Sequence, residues 1–103
     1  MSTTTRAERH PTKEMAAVEI YGRNGQMIMS VRNMSASGAC LEWKHDGYEI
    51  KTGDLIRMTI VLKSLNRRHH VNAEVVWKDG NRSGVAFIPS HRVLDRLLEK
   101  GAA

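Results

Sequence analysis

The sequence predicts an all-β fold, a six-stranded antiparallel β-barrel followed by one short C-terminal α-helix, on three observations. Apolar and polar residues alternate in six separate stretches between Ala16 and Ile88. Gly, Asn, Asp or Pro punctuate these stretches, which marks short turns between strands. After Pro89 the apolar period changes from that of a strand to that of a helix. Six strands at such spacing argue for a sheet closed, or nearly closed, into a barrel.

Residues 1–13, MSTTTRAERHPTK, hold no large apolar residue beyond the initiator Met and carry a Pro that removes a backbone donor. They are expected to form a flexible basic arm, with residues 14–103 as the barrel and its helix. Ala16, Val18 and Ile20 define the first strand, and Gly22-Arg23-Asn24-Gly25 reads as a hairpin turn. Met27, Met29 and Val31 define the second, which ends near Asn33; Ala39, Leu41 and Trp43 define the third, closed by Asp46-Gly47. Thr52-Gly53-Asp54 turns into the fourth strand, marked by Ile56, Met58, Ile60 and Leu62. The fifth has the clearest alternation, with His69, Val71, Ala73, Val75 and Trp77 on one face, and Asp79-Gly80 closes it. Residues 84–88 form the sixth, and Pro89 stops it. Trp43, Trp77 and Phe87 fall on apolar faces and are expected in the core.

Ser90 is placed to cap the final helix. Val93, Leu94, Leu97 and Leu98 share one face of that helix, and Gly101 ends it. Covering an open barrel end is the expected use of that face, with docking on a partner as the alternative.

At 103 residues, 41% hydrophobic and 26% charged, the chain fits one small domain. Sixteen Lys and Arg against eleven Asp and Glu leave a formal charge of +5, which points to an anionic partner. Cys40 is the sole cysteine, so neither an internal disulfide nor a CxxC zinc site is available, and a reducing compartment is the default. The chain shows no signal-peptide pattern and no apolar run long enough to span a membrane, so it reads as cytosolic. His69 and His70 are adjacent on a strand and point to opposite faces, which argues against joint metal ligation, and no metal is expected. No P-loop, dinucleotide glycine fingerprint or nucleophile elbow is present, and Glu42 and Glu74 fall on outward positions, so an enzyme is not expected.

Asn33-Met34-Ser35-Ala36-Ser37-Gly38 joins the second and third strands and is rich in short hydrogen-bonding side chains. An ordinary turn explains it on turn chemistry alone. The functional alternative is that Asn33 and Ser35 offer an amide and a hydroxyl to the edge of a base, while Gly38 lets a ligand approach. Arg6 and Arg9 precede this turn on the arm and read either as a solvated basic tail or as an anion grip.

The Asn-x-Ser-x-x-Gly turn, the Arg-containing arm, Gly53-Asp54 before a strand, residues 73–77 with residues 84–87, and the amphipathic tail together resemble a PilZ domain over about residues 5–99. The resemblance implies a six-stranded barrel that binds the bacterial second messenger cyclic di-GMP without any other cofactor. It implies that arginines of an Arg-x-x-x-Arg motif grip the ligand and that the turn supplies the other wall. Arg6, Arg9, Asn33, Ser35 and Gly38 are therefore the candidate ligand-binding residues. Arg6 and Arg9 are three apart, one short of the family spacing. The expected function is a receptor that relays the signal to a protein partner, as in motility or biofilm regulation. The alternatives are a PilZ-like adaptor that acts only through protein contacts, and a basic barrel that binds RNA or DNA generally; the last is disfavoured by five aromatic residues and modest charge.

Overall fold

The computed structural model describes residues 10–44, 50–63 and 66–100, with the side chain of His10 outside that description. Among the described residues seven strands run in chain order: β1 (His10–Pro11), β2 (Met15–Ile20), β3 (Met27–Met34), β4 (Gly38–Glu42), β5 (Leu55–Leu62), β6 (Arg67–Asp79) and β7 (Arg82–Ile88). A 3-10 turn over Ser90–Arg92 leads into the helix α1 (Val93–Glu99). Every pairing is antiparallel, and the order β3-β2-β5-β6-β7-β4 returns from β4 to β3. Strands β2 to β7 are thus the expected closed six-stranded barrel. Closure pairs the strand edges that would otherwise be exposed.

The period-two pattern places the core as expected. Ala16, Val18 and Ile20 from β2 meet Met29 and Val31 from β3, Leu41 from β4, Met58 and Ile60 from β5, and Val75 from β6, all buried inside the barrel. The turns follow their glycines: Gly53 has φ 94° between Lys51 and Asp54, and Gly80 has φ 59° in the two-residue connection from Asp79 to Arg82. These are conformations that a Cβ disfavours. The Asp46-Gly47 turn lies outside the described residues.

Two irregularities override strict alternation. Between Val31 and Asn33 the β3–β4 register shifts, leaving Arg32 as the extra residue. Met34 then lies opposite the buried Ala39 and packs on the core, while Asn33 pairs with Cys40 and turns away from it. Between Val75 and Trp77 the β6–β7 register shifts in the same way at Val76. Past that bulge Trp77 lies opposite Gly84 and is 43% exposed, so the expectation that Trp77 is core is corrected. An added residue reverses the face of everything that follows it. Trp43 is buried as expected, and Phe87 packs partly buried against the core.

Residues 1–9 of the expected arm lie outside the described residues, and residues 10–13 lie against the barrel. His10 pairs with Met34 and Pro11 with Asn33, and the Thr12 N–H donates to the Arg32 carbonyl at 3.1 Å. The helix departs from expectation in two ways. Ser90 sits inside the 3-10 turn and caps nothing with its side chain; Pro89 precedes that turn, and its carbonyl accepts the Arg92 N–H at 2.9 Å. No residue of α1 is buried, and Leu94 and Leu98 are 65% and 57% exposed. Val93 and Leu97 are half-buried, and polar contacts add to the attachment, with Arg96 and Lys100 both pairing with Glu74 on β6. The apolar face therefore does not close the barrel end.

Candidate functional site

The β3–β4 turn is braced by hydrogen bonds within itself and to β7. The Ser35 N–H donates to the Gly38 carbonyl at 2.9 Å, and the Ser35 hydroxyl accepts the Ser37 N–H at 3.2 Å. That hydroxyl also lies 3.2 Å from the Ser37 hydroxyl and 3.4 Å from the Gly38 carbonyl oxygen. A serine that bonds the backbone two residues on fixes a turn in the way an aspartate or asparagine does. Ser35 is buried, with 8% exposure, so its hydroxyl is engaged within the turn rather than presented outward.

Gly38 has a structural cause for lacking a side chain. A Cβ there would collide with the carbonyl oxygen of Val85 on β7, beside the pairing of Gly38 with Ala86. The close approach at Gly38 is thus made by a neighbouring strand. The Phe87 N–H donates to the Ser37 carbonyl at 2.9 Å and ties the same turn to β7 from the other side. Asn33, turned outward by the bulge at Arg32, stands at the foot of this braced turn and pairs with Pro11 of β1.

Beside the turn opens a cavity of about 780 Å³. Its walls are largely apolar, with Met34, Ile60, Val71, Phe87 and Ile88 inside and Thr12, Ser35 and His69 adding polar groups. A smaller cavity of about 560 Å³ adjoins it along β1 and β3, lined by Pro11, Lys13 and Arg32 among others. The Arg32 guanidinium is committed to Glu42 at 3.0 Å, and Arg82 reaches the other oxygen of the same carboxylate at 3.1 Å. The hydrogen bond from Arg32, then that from Arg82, holds the Glu42 carboxyl below its ordinary range. Lys13 is exposed.

Of the sequence-predicted site residues, Asn33, Ser35 and Gly38 share one turn, whereas Arg6 and Arg9 lie outside the described residues. Lys13 escaped the sequence reading, although a signal was present: it stands four residues after Arg9, the spacing that Arg6 and Arg9 do not keep. His69 and Phe87 were assigned to strand faces without a site role, and only the cavity brings them to the turn. Among the described residues, no three His, Cys, Asp or Glu side chains converge as metal ligands, and no helix is long and apolar enough to cross a membrane.

A family model described as the PilZ domain matches residues 4–100. The chain belongs to the PilZ domain family. Its fold agrees with that of the PilZ domain of CeSA from a cellulose-synthesizing bacterium, at 12% identity and a TM-score of 0.67 over 90% of this chain and 93% of that one. It agrees also with a Bacillus subtilis inhibitor of motility, at 16% identity and a TM-score of 0.65 over 96% of this chain. This PilZ domain spans about half of that second protein, 49% of its chain. A search of curated proteins found no match. PilZ domains are binding and adaptor domains, and in this one the braced turn contributes Ser35 and Ala36 to the wall of the largely apolar cavity.

Proposed function

We propose that this PilZ domain is a receptor for cyclic di-GMP, holding the nucleotide between the N-terminal arm and the β3–β4 turn. One observation carries the reading: β1 pairs with Asn33 and Met34, so the segment bearing Arg9 joins the barrel directly at the turn. Arg9 is bonded to His10, whose partner across the ladder is Met34. A short tether of this kind raises the effective concentration of the arm's cations at the turn.

The ligand presents two phosphates and two guanines. Guanidinium groups pair phosphate oxygens in a bidentate manner and also donate to the O6 and N7 edge of guanine, a pairing that suits Arg9 and Arg6. Asn33 offers an amide to a guanine edge. Ser35 acts as a positioning residue, because its hydroxyl holds the turn that aims Asn33. Gly38 keeps β4 and β7 close enough for that turn to form. The apolar wall of Met34, Phe87 and Ile88 gives a purine face a surface to lie against. Ordering of the arm around the ligand then alters the surface shown to a protein partner, which makes the domain a switch without chemistry of its own.

Calorimetric titration with cyclic di-GMP at moderate salt tests this reading. Saturable binding is expected, weakened at least tenfold by Arg9→Ala and by Asn33→Ala, about 1.4 kcal/mol each. Absence of binding at high micromolar ligand, or equal binding by the Asn33→Ala variant, would overturn it.

A further inference from the structure

A second surface lies on the outer wall of the barrel, across strands β3, β2, β5 and β6. The register lines up three transverse rows there. Ile28, Ala17, Thr59 and His70 form the middle row; Ser30, Met15, Val61 and Arg68 form one flanking row. Glu19, Arg57 and Asn72 form the other. Ala17 contributes only a methyl group, so the centre of the middle row is low and a groove of about 450 Å³ opens over it.

The composition of this groove is unusual for the outer face of an antiparallel barrel, which normally alternates polar outward. Ile28, Val61 and Met15 are 51%, 39% and 37% exposed around the depression. Two guanidinium groups, Arg57 and Arg68, stand at its ends, and neither has an ion-pair partner among the described residues. Four residues of strand separate their rows, roughly 14 Å at the usual rise. The His70 ring is fixed by Thr59 at 3.0 Å, and among the described residues Glu19 is the one carboxylate lining the groove.

An apolar centre with cations at its ends has the pattern of a protein-docking patch. We propose that this groove docks an extended acidic segment of a partner protein, seating an aliphatic side chain over Ala17 and placing carboxylates on Arg57 and Arg68. Charge complementarity selects that occupant. A second copy of this chain carries the same +5 charge and is repelled. Single-stranded nucleic acid favours Phe, Tyr or Trp platforms for its bases, and none of the described residues lining the groove is one of these. The surface is separate from the β3–β4 turn, so the proposal stands independently of nucleotide binding.

Selection of a random-peptide display library on the full chain tests it, followed by anisotropy titration of the enriched peptides as labelled synthetic copies. Enriched sequences are expected to carry carboxylates about four residues apart around an aliphatic residue. Their affinity is expected to fall at least tenfold in the Arg57→Glu/Arg68→Glu variant and in Ala17→Lys, while cyclic di-GMP titration of both variants is unchanged from that of the original chain. Ile28→Glu serves in place of Ala17→Lys should circular dichroism show the latter unfolded. Enrichment of basic or uncharged sequences, no enrichment at all, or equal binding by these variants overturns the proposal. Tighter binding of anionic vesicles or of single-stranded RNA through the same two arginines overturns it as well.

Discussion

The indole of Trp77 lies against the Cα of Gly84, in the space that a side chain at position 84 would need. The two residues are paired across β6 and β7 just beyond the bulge at Val76. An aromatic ring laid over a strand glycine replaces the contacts that the glycine lacks. At Gly38 the obstacle is instead the backbone carbonyl of Val85.

These two glycines should respond differently to a methyl group. Trp77 is partly exposed and can swing outward, so Gly84→Ala is expected to cost about 1 kcal/mol and to shift Trp77 emission to the red. The Val85 carbonyl can move only with its strand, so Gly38→Ala is expected to cost about 2–3 kcal/mol. Urea denaturation followed by intrinsic fluorescence ranks them.

How far the sequence reached can be judged at the same places. Period-two alternation located all six barrel strands, because burial of one face leaves its mark on every second residue. Trp77 was misplaced because a bulge adds a residue without changing composition, and nothing in residues 69–78 announces it. Leu94 and Leu98 have helical spacing, yet spacing alone does not say whether the face meets a neighbour. The charges of Arg96 and Lys100 and their reach to Glu74 decided the docking of α1, a pairing 22 residues apart in the case of Arg96. At the candidate site the turn was legible from Asn33, Ser35 and Gly38. The cavity was not, since its walls come from β3, β5, β6 and β7.

Ser83 on β7 is fully buried, and its hydroxyl has no hydrogen-bond partner among the described residues. Burying an unpaired hydroxyl costs roughly 1–3 kcal/mol. Ser83→Ala is therefore expected to leave stability unchanged or to raise it by up to about 1 kcal/mol, read from the thermal midpoint. A loss above that size would show that the hydroxyl is satisfied.

Glu74 governs the attachment of α1. Burial raises its carboxyl pKa, but the hydrogen bonds from Arg96 and Lys100 prevail and hold it below the ordinary value of 4.5. A carboxyl lowered in the folded state stabilises at neutral pH, and that contribution is lost as pH falls through its folded value. Acid should thus free the helix before the barrel unfolds. Glu74→Gln at neutral pH should act alike, speeding amide exchange of residues 93–99 by roughly two- to fivefold while β5 and β6 remain protected. Unchanged exchange would show that the helix is held by its leucines.

Lys13 provides a gain-of-function test of the arm. Its ammonium is a point charge, whereas a guanidinium pairs phosphate through two parallel hydrogen bonds. Lys13→Arg, placing an arginine four residues after Arg9, should tighten cyclic di-GMP binding by roughly three- to tenfold in calorimetry. An unaltered affinity would place Lys13 outside the ligand's reach, and a weaker one would show that the longer guanidinium does not fit there.

The central claim is that one ligand engages the arm and the turn together. Amide chemical shifts measured during titration with cyclic di-GMP test it most directly. Residues 6–13 and 33–38 should move with a common midpoint while Ala17, Ile28 and Thr59 on the outer wall stay fixed. Movement confined to residues 6–13, or no movement at high micromolar ligand, would contradict the account.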